Sequence, residues 1–355
     1  FPMNRREFIK NSLICGCAAC FGGVCFSSPK SLEDMFFFKS KNDLPRRVFL
    51  ESCSLCQLRC VKCWRVTNTE VHTLGYLKFE DFKKFVDDNP VVNEIDLALK
   101  GEMFLNPELD KIIKYAHEKN IILTAYSGVN GNYISDEIAE LLVKTQFRSI
   151  VFSIDGATQD VYKIYRVGGN IDSVFENIKK INFYKNKYNS KYPELTYKFI
   201  VFGHNEHEII PAKEKAKELG MGITFDTNYA PAYSPVIDKK MVKELTGLSF
   251  DTLPEQRMSE NQFIMCQALF NRPVIFYNGL LRGCCMADEN RHFDDINVFK
   301  DGYLKAMNGA KIAYARRMLA NYKTPAHKDL ACSKCFMYKQ LKKYKFCLMN
   351  DEMNK

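Results

Sequence analysis

The run Val48-Phe49-Leu50-Glu51-Ser52 is short and β-like, and Cys56-Gln57-Leu58-Arg59-Cys60-Val61-Lys62-Cys63 follows it almost at once. Three thiolates within eight residues can wrap one face of a small iron–sulfur cube. Three protein ligands on a four-iron cluster leave one iron open, as ligation of a substrate or cofactor requires. A zinc site built from Cys53, Cys56, Cys60 and Cys63 would leave only three residues between its two ligand pairs. About a dozen or more is usual in such sites.

From Arg47 to Tyr229 the chain alternates β-like runs with helical stretches. The β-like runs, at 48–52, 95–99, 121–125, 149–155, 195–202 and 223–227, are rich in Val, Ile and Phe. Between them Leu109, Ile112, Ile113 and Ala116 share a helical face, with Asn106 as the expected N-cap and Pro107 as first helical residue. Ile138, Leu141 and Leu142 follow Ser135 in the same manner. Val174, Ile178 and Ile181 form a further stripe, and so do Ile209, Ala212, Ala216 and Leu219. Strand–helix alternation of this kind predicts a parallel sheet, as an open barrel or a doubly wound sheet, with chemistry at the C-terminal strand ends. Residues 231–262 read as a bridge. A hairpin is expected at 274–282 around Asn278-Gly279.

The chain has 355 residues, 46% of them apolar, a net charge of +9 and 14 Cys. That composition excludes disordered, collagenous and disulfide mini-scaffold classes. The cysteines are grouped, and none lies between Cys63 and Cys266. A disulfide framework would be expected to staple that middle, whereas grouped cysteines suggest metal or iron–sulfur ligation in a reducing cytosol.

Cys56-x3-Cys60-x2-Cys63 resembles the cluster motif of radical S-adenosylmethionine (SAM) enzymes, and other pieces arrive in that family's order. Lys100-Gly101-Glu102 resembles its Gly-Gly-Glu turn, with Lys100 in place of the first Gly. Ser153-Ile154-Asp155-Gly156 and Tyr165-Arg166-Val167-Gly168-Gly169 resemble the fourth-strand region of members with a SPASM-type extension. The resemblance spans about 45 to 350. It implies an α/β fold, a partial (β/α)6 TIM-like barrel at 36–230, followed by a small Cys-rich auxiliary-cluster domain at 263–355. Cys56, Cys60 and Cys63 would hold a [4Fe-4S] cluster whose open iron chelates SAM. One electron from a low-potential flavodoxin- or ferredoxin-like donor would cleave SAM to a 5′-deoxyadenosyl radical that abstracts a substrate hydrogen. Gly101 and Glu102 would hold the methionine amine, with Ser153 and Arg166 as further SAM contacts, Arg166 as a fork to the carboxylate. Ser127-Gly128-Val129-Asn130-Gly131 departs from the family's shorter third-strand motif and receives no role.

Cys266, Cys284, Cys332 and Cys335 fit the shorter, Twitch-like pattern, which implies one saturated auxiliary [4Fe-4S] cluster. Leu341 stands where a second cluster would need a Cys, and Cys285 and Cys347 remain spare. A saturated cluster suits electron relay, hence net oxidation or crosslinking of a peptide, small polyol or amino sugar. Asp226, Tyr229, Arg282 and Asp288 are the acid–base candidates, with a structural role as the alternative for each. His204 and His207 admit a pocket or a polar-loop reading. The opposing function class is a non-catalytic iron–sulfur carrier or assembly factor, which has no need for the SAM-binding strand ends.

Lys339, Lys342, Lys343 and Lys345 with Tyr338 and Tyr344 read as a solvated helix face, so no nucleic-acid partner is expected. Phosphate-binding and nucleophile-elbow motifs are missing. Residues 1–35 begin with Arg5, Arg6, Phe8 and Lys10 before an apolar stretch, the organisation of a twin-arginine export signal for folded proteins. Cys15-Gly16-Cys17 also admits membrane tethering by a lipid, and a cytoplasmic protein with a basic N-terminus is the alternative. The first strand starts almost directly after this segment, leaving no room for a separate leader-peptide domain.

Overall fold

The computed structural model describes residues 19–21, 24–26, 36–67, 73–250, 266–284 and 293–345. The signal arginines Arg5 and Arg6, together with Cys15, Cys17, Asp288, Cys285 and Cys347, lie outside the described residues. So does most of the later part of the bridge, while Ala19–Phe21 pairs antiparallel with Val24–Phe26.

All six expected strands form: β1 Arg47–Leu50, β2 Glu94–Asp96, β3 Ile122–Val129, β4 Ser149–Ser153, β5 Glu194–Val201 and β6 Gly222–Thr227. They lie in the order β6-β5-β4-β3-β2-β1, and the ladders from β2 to β6 are parallel. A doubly wound sheet would reverse this order at a switch point. The order runs one way and β1 does not pair with β6, so the sheet is a partial, open barrel.

Helices α1 Phe79–Asp88, α2 Leu109–Glu118, α3 Asp136–Lys144, α4 Gln159–Tyr165, α5 Ile171–Lys187 and α6 Ile209–Glu218 separate the strands. Their stripes are buried as the period requires: Leu109, Ile112, Ile113 and Ala116 in α2, and Val174, Ile178 and Ile181 in α5. Ser135 caps α3 by accepting from the Ile138 amide at 3.2 Å. Asn106 corrects one expectation, because α2 begins at Leu109 with Glu108 as its cap. The buried Asn106 amide instead donates to the carbonyls of Ser52 and Leu77, both at 3.0 Å. It ties the end of β1 to the Leu77 segment, where Tyr76 makes an isolated bridge with Cys53.

Two compact units emerge, one of residues 49–83 and 93–250, the other of 1–48, 84–92 and 251–355. Among its described residues, the second includes 36–48 and 84–92 with the Cys-rich segment. Side-chain chemistry accounts for this: Phe85 packs edge-on against Phe299 and Tyr303, and Asn308 brackets both backbone groups of Phe38 at 2.8 Å. Arg316 is fully buried there, donating to the carbonyls of Leu269 at 2.9 Å and Phe36 at 2.8 Å. Burial pulls its pKa down to about 9. The hairpin also forms, with the Phe276 amide donating to Leu280 at 3.0 Å and the Arg282 amide to Val274 at 2.8 Å. In the helix Phe336–Lys343, Tyr338 and Leu341 are buried and the lysines are exposed, as a solvated face requires. Among the described residues no helix is long and apolar enough to cross a membrane.

Asn205 locks the ends of β4 and β5 together. Its amide donates to Asp155 at 3.0 Å and Ile200 at 2.9 Å, and it accepts from the Phe202 amide at 2.7 Å. Asn205→Ala strands three buried backbone groups and should destabilise the protein by about 3 kcal/mol in urea unfolding. A loss below about 1 kcal/mol would contradict that role.

Candidate active site

In a parallel sheet the C-terminal strand ends share one edge, and the chain places four segments there. After β1 come Cys53, Cys56, Cys60 and Cys63, none in a disulfide. Leu58 and Cys60 pack with Tyr165, Ile200 and Phe202, and Cys56, Cys63 and Tyr233 lie against that cluster. Burial pushes the Cys56 thiol up to about 11 and raises Cys60 as well. Among the described residues no three His, Cys, Asp or Glu side chains are gathered closely enough to hold a single metal ion.

The Lys100-Gly101-Glu102 turn lies against this loop. A Cβ on Gly101 would sit 2.1 Å from the Cys53 carbonyl oxygen and 2.7 Å from that of Leu55, so only glycine fits. The Glu102 amide donates to the Leu55 carbonyl at 2.7 Å. Glu102 itself is 1% exposed, and its carboxylate accepts from the backbone amides of Asn130 at 2.6 Å and Phe104 at 3.4 Å. Burial raises its pKa to about 7 against those hydrogen bonds. A buried carboxylate held by neutral donors suits a cationic ligand such as an α-amine. The Lys100 ammonium is directed elsewhere, 3.3 Å from the ring centroid of Trp64, the chain's single tryptophan.

Ser153 ends β4 and is buried. Gly128, at φ +105°, comes so close that a Cβ would lie 2.3 Å from the Ser153 hydroxyl. Arg166 caps α4, and its guanidinium is engaged: Nε and Nη2 meet Asp155, Nε at 2.7 Å, while Nη1 reaches the Cys60 sulfur at 3.6 Å. The expected fork toward a ligand carboxylate is thus turned onto Asp155. Asp155 is buried in the left-handed region at φ +59° and also accepts from the Ile200 amide at 2.7 Å.

Asn130 is the site residue that motif reading passed over. Its side chain donates to the Cys56 sulfur at 3.4 Å while its backbone amide holds Glu102. The signal was present as Asn130-Gly131 just past a strand, but a register shift between Ala125 and Val129 is what carries it to the site.

Asp226 lies within β6, paired with Lys198 of β5 at 3.0 Å. Tyr229 is 78% exposed. Arg282 belongs to the other unit, buried over Phe276 at 5.4 Å. His204 is accounted for by its loop, with Nδ1 2.8 Å from the Ser234 hydroxyl and its ring stacked on Phe202. In the second unit Cys332 and Cys335 share a turn, the Cys335 amide donating to Cys332 at 3.1 Å. Burial, then the neighbouring Cys266 and Cys335, raises the Cys332 thiol to about 12. Cys266 and Cys335 thus each lie near enough to Cys332 to act on its thiol.

Neither a protein-family model nor a curated protein matches the chain. Solved structures do. Streptococcus suis SuiB bound to S-adenosylmethionine matches with a TM-score of 0.61 at 16% identity, over 79% of this chain and 69% of that one. SuiB bound to the precursor peptide SuiA matches at 0.57 and 15%, over 76% and 66%. The protein anSMEcpe with bound AdoMet matches at 0.53 and 15%, over 84% and 96%. The chain shares their fold.

Glu102 makes stability depend on pH in the cofactor-free protein. Its folded pKa of about 7 stands above the ordinary 4.5, so its contribution is present at low pH and lost as pH rises through about 7. Relative to wild type, Glu102→Gln should therefore gain stability between pH 5 and pH 8, by roughly 3 kcal/mol at most. Urea unfolding at both pH values checks this, and identical pH profiles would contradict it.

Proposed function

We propose that the chain is a radical SAM enzyme. The observation that carries this reading is the junction of Cys56, Glu102 and Asn130: a buried carboxylate cradle for a cation, joined through one residue to a thiol of the cysteine triplet. The fold shared with S-adenosylmethionine-bound SuiB and anSMEcpe supports it. Cys56, Cys60 and Cys63 would hold a [4Fe-4S] cluster and Glu102 would receive the methionine amine, with Ser153 beside it. When bound, the cluster and SAM supply one-electron cleavage of the sulfonium and hydrogen abstraction from substrate.

The chain's own residues do the rest. Gly101 lets the Glu102 turn reach the cysteine loop. Asn205 and Ile200 hold Asp155, and Asp155 holds Arg166. Leu58, Tyr165, Ile200 and Phe202 keep water from Cys60. Exposed Arg59 and Lys62 flank Cys60 and suit an acidic, low-potential electron donor. Cys266, Cys284, Cys332 and Cys335 would hold one auxiliary [4Fe-4S] cluster, a reading that the buried Leu341 supports. Net oxidation or crosslinking follows from electron relay by that cluster. A peptide substrate is favoured by the likeness to SuiB, solved with a precursor peptide.

A non-catalytic electron carrier would have no use for the Glu102 cradle, and one assay separates the two. Anaerobically reconstituted protein should convert SAM to 5′-deoxyadenosine with dithionite, and Cys60→Ala should abolish this. Absence of dithionite-dependent cleavage in wild type would contradict the proposal. Iron should amount to about eight per chain, falling to about four in Cys332→Ala/Cys335→Ala, whereas about twelve would contradict a single auxiliary cluster.

A further inference from the structure

We infer that Asn130 and Arg166 set the reduction potential of the cluster held by Cys56, Cys60 and Cys63, by donating N–H···S hydrogen bonds to two of its three ligand sulfurs. The inference rests on the proposed function for the presence of that cluster.

The Asn130 amide has only one orientation that satisfies its neighbours. The backbone N–H of Asn132 can only donate, and it donates to Asn130 Oδ1 at 3.0 Å. That assigns the other end, Nδ2, to face Cys56 Sγ at 3.4 Å and Gln57 Oε1 at 3.2 Å. Gln57 returns its own amide to Asn130 Oδ1 at 3.0 Å, closing a reciprocal pair. The side chain is thus aimed at sulfur by three bonds rather than left to rotate. Its backbone N–H meanwhile holds Glu102 Oε2 at 2.6 Å, so one residue registers the carboxylate against the thiol.

Arg166 is aimed by a different device. Asp155 takes Nε and Nη2, and Asp155 is itself pinned by the Ile200 amide, so Nη1 is left pointing at Cys60 Sγ at 3.6 Å. The guanidinium is a permanent cation, and Asp155 is its ion-pair partner. Around both sulfurs the wall of Leu58, Tyr165, Ile200 and Phe202 is apolar, where a hydrogen bond or charge acts with little screening. Arg65 lies nearby as well, its Nη1 donating to the Cys56 carbonyl at 3.4 Å.

Reduction adds one electron, from dithionite in the experiment, with no bond made or broken. The added negative charge spreads onto the ligand sulfurs, so donors on sulfur favour the reduced form and raise the potential. Cys63 receives no such donor from Asn130 or Arg166, which makes the tuning local to Cys56 and Cys60.

The test is a redox titration of the reconstituted full chain, followed by the electron paramagnetic resonance signal that SAM perturbs. That criterion separates this cluster from any auxiliary one. Asn130→Ser and Arg166→Gln should each make reduction at least about tenfold less favourable, a midpoint lower by about 59 mV for one electron, with iron content as in wild type. A change below about twofold in both variants would overturn the inference. Loss of the SAM-responsive cluster in both would overturn it equally, since these residues would then build the loop rather than tune it. A wild-type protein lacking any SAM-responsive signal would overturn the proposed function itself, and this inference with it.

Discussion

The close approach of Gly101 to the carbonyls of Cys53 and Leu55 is the constraint on which the site depends. With no Cβ between them, the turn after β2 lies directly on the cysteine loop after β1, and the Glu102 amide bonds to Leu55. That contact delivers a carboxylate to the interior near the Cys53 and Cys56 thiols. Buried carboxylates are costly unless satisfied, and the amides of Asn130, Phe104 and Gly131 are what make Glu102 tolerable there. The residual strain is electrostatic and is recorded in its raised pKa. A cationic ligand would relieve it.

The Arg166 side of the site is built on the same logic with charge signs reversed. The Arg166 side chain is 12% exposed and lies over the Tyr165 ring, and Asp155 compensates its charge. Asp155 in turn depends on the ends of β4 and β5 staying in register, which Asn205 secures with three hydrogen bonds. Each polar group in the site is therefore positioned by a neighbour rather than by its own backbone alone. This couples the fold of the open barrel to the chemistry at its edge, because parallel strands bring all of these ends to one side.

Residues whose meaning lies in local spacing were legible in the sequence. The cysteine triplet, the Gly101-Glu102 turn and Ser153 all fall at the C-terminal strand ends, and the strand–helix alternation is visible in the apolar periods. Features that depend on register between distant strands were not legible. Asn130 reaches Cys56 only because β3 shifts register between Ala125 and Val129, and a two-residue period carries no mark of that. Asp226 reads as a free acid in the chain and meets Lys198 only across the β5–β6 ladder. The motif puts Arg166 shortly after the fourth strand, but its guanidinium direction is set by Asp155, eleven residues earlier. Asn106 looked like a helix cap, and tertiary demand for its amide at Ser52 and Leu77 overrode the local preference.

The central claim is that the cysteine loop and the Glu102 cradle together receive one ligand, the methionine end of SAM, on an open iron. Electron–nuclear double resonance on the reduced, reconstituted protein with SAM carrying a 15N-labelled amine tests this directly. The account predicts a nitrogen hyperfine coupling from that amine to the cluster, lost when Glu102→Ala removes the cradle. A reduced cluster that shows no such coupling in wild type, with SAM present in excess, would contradict it.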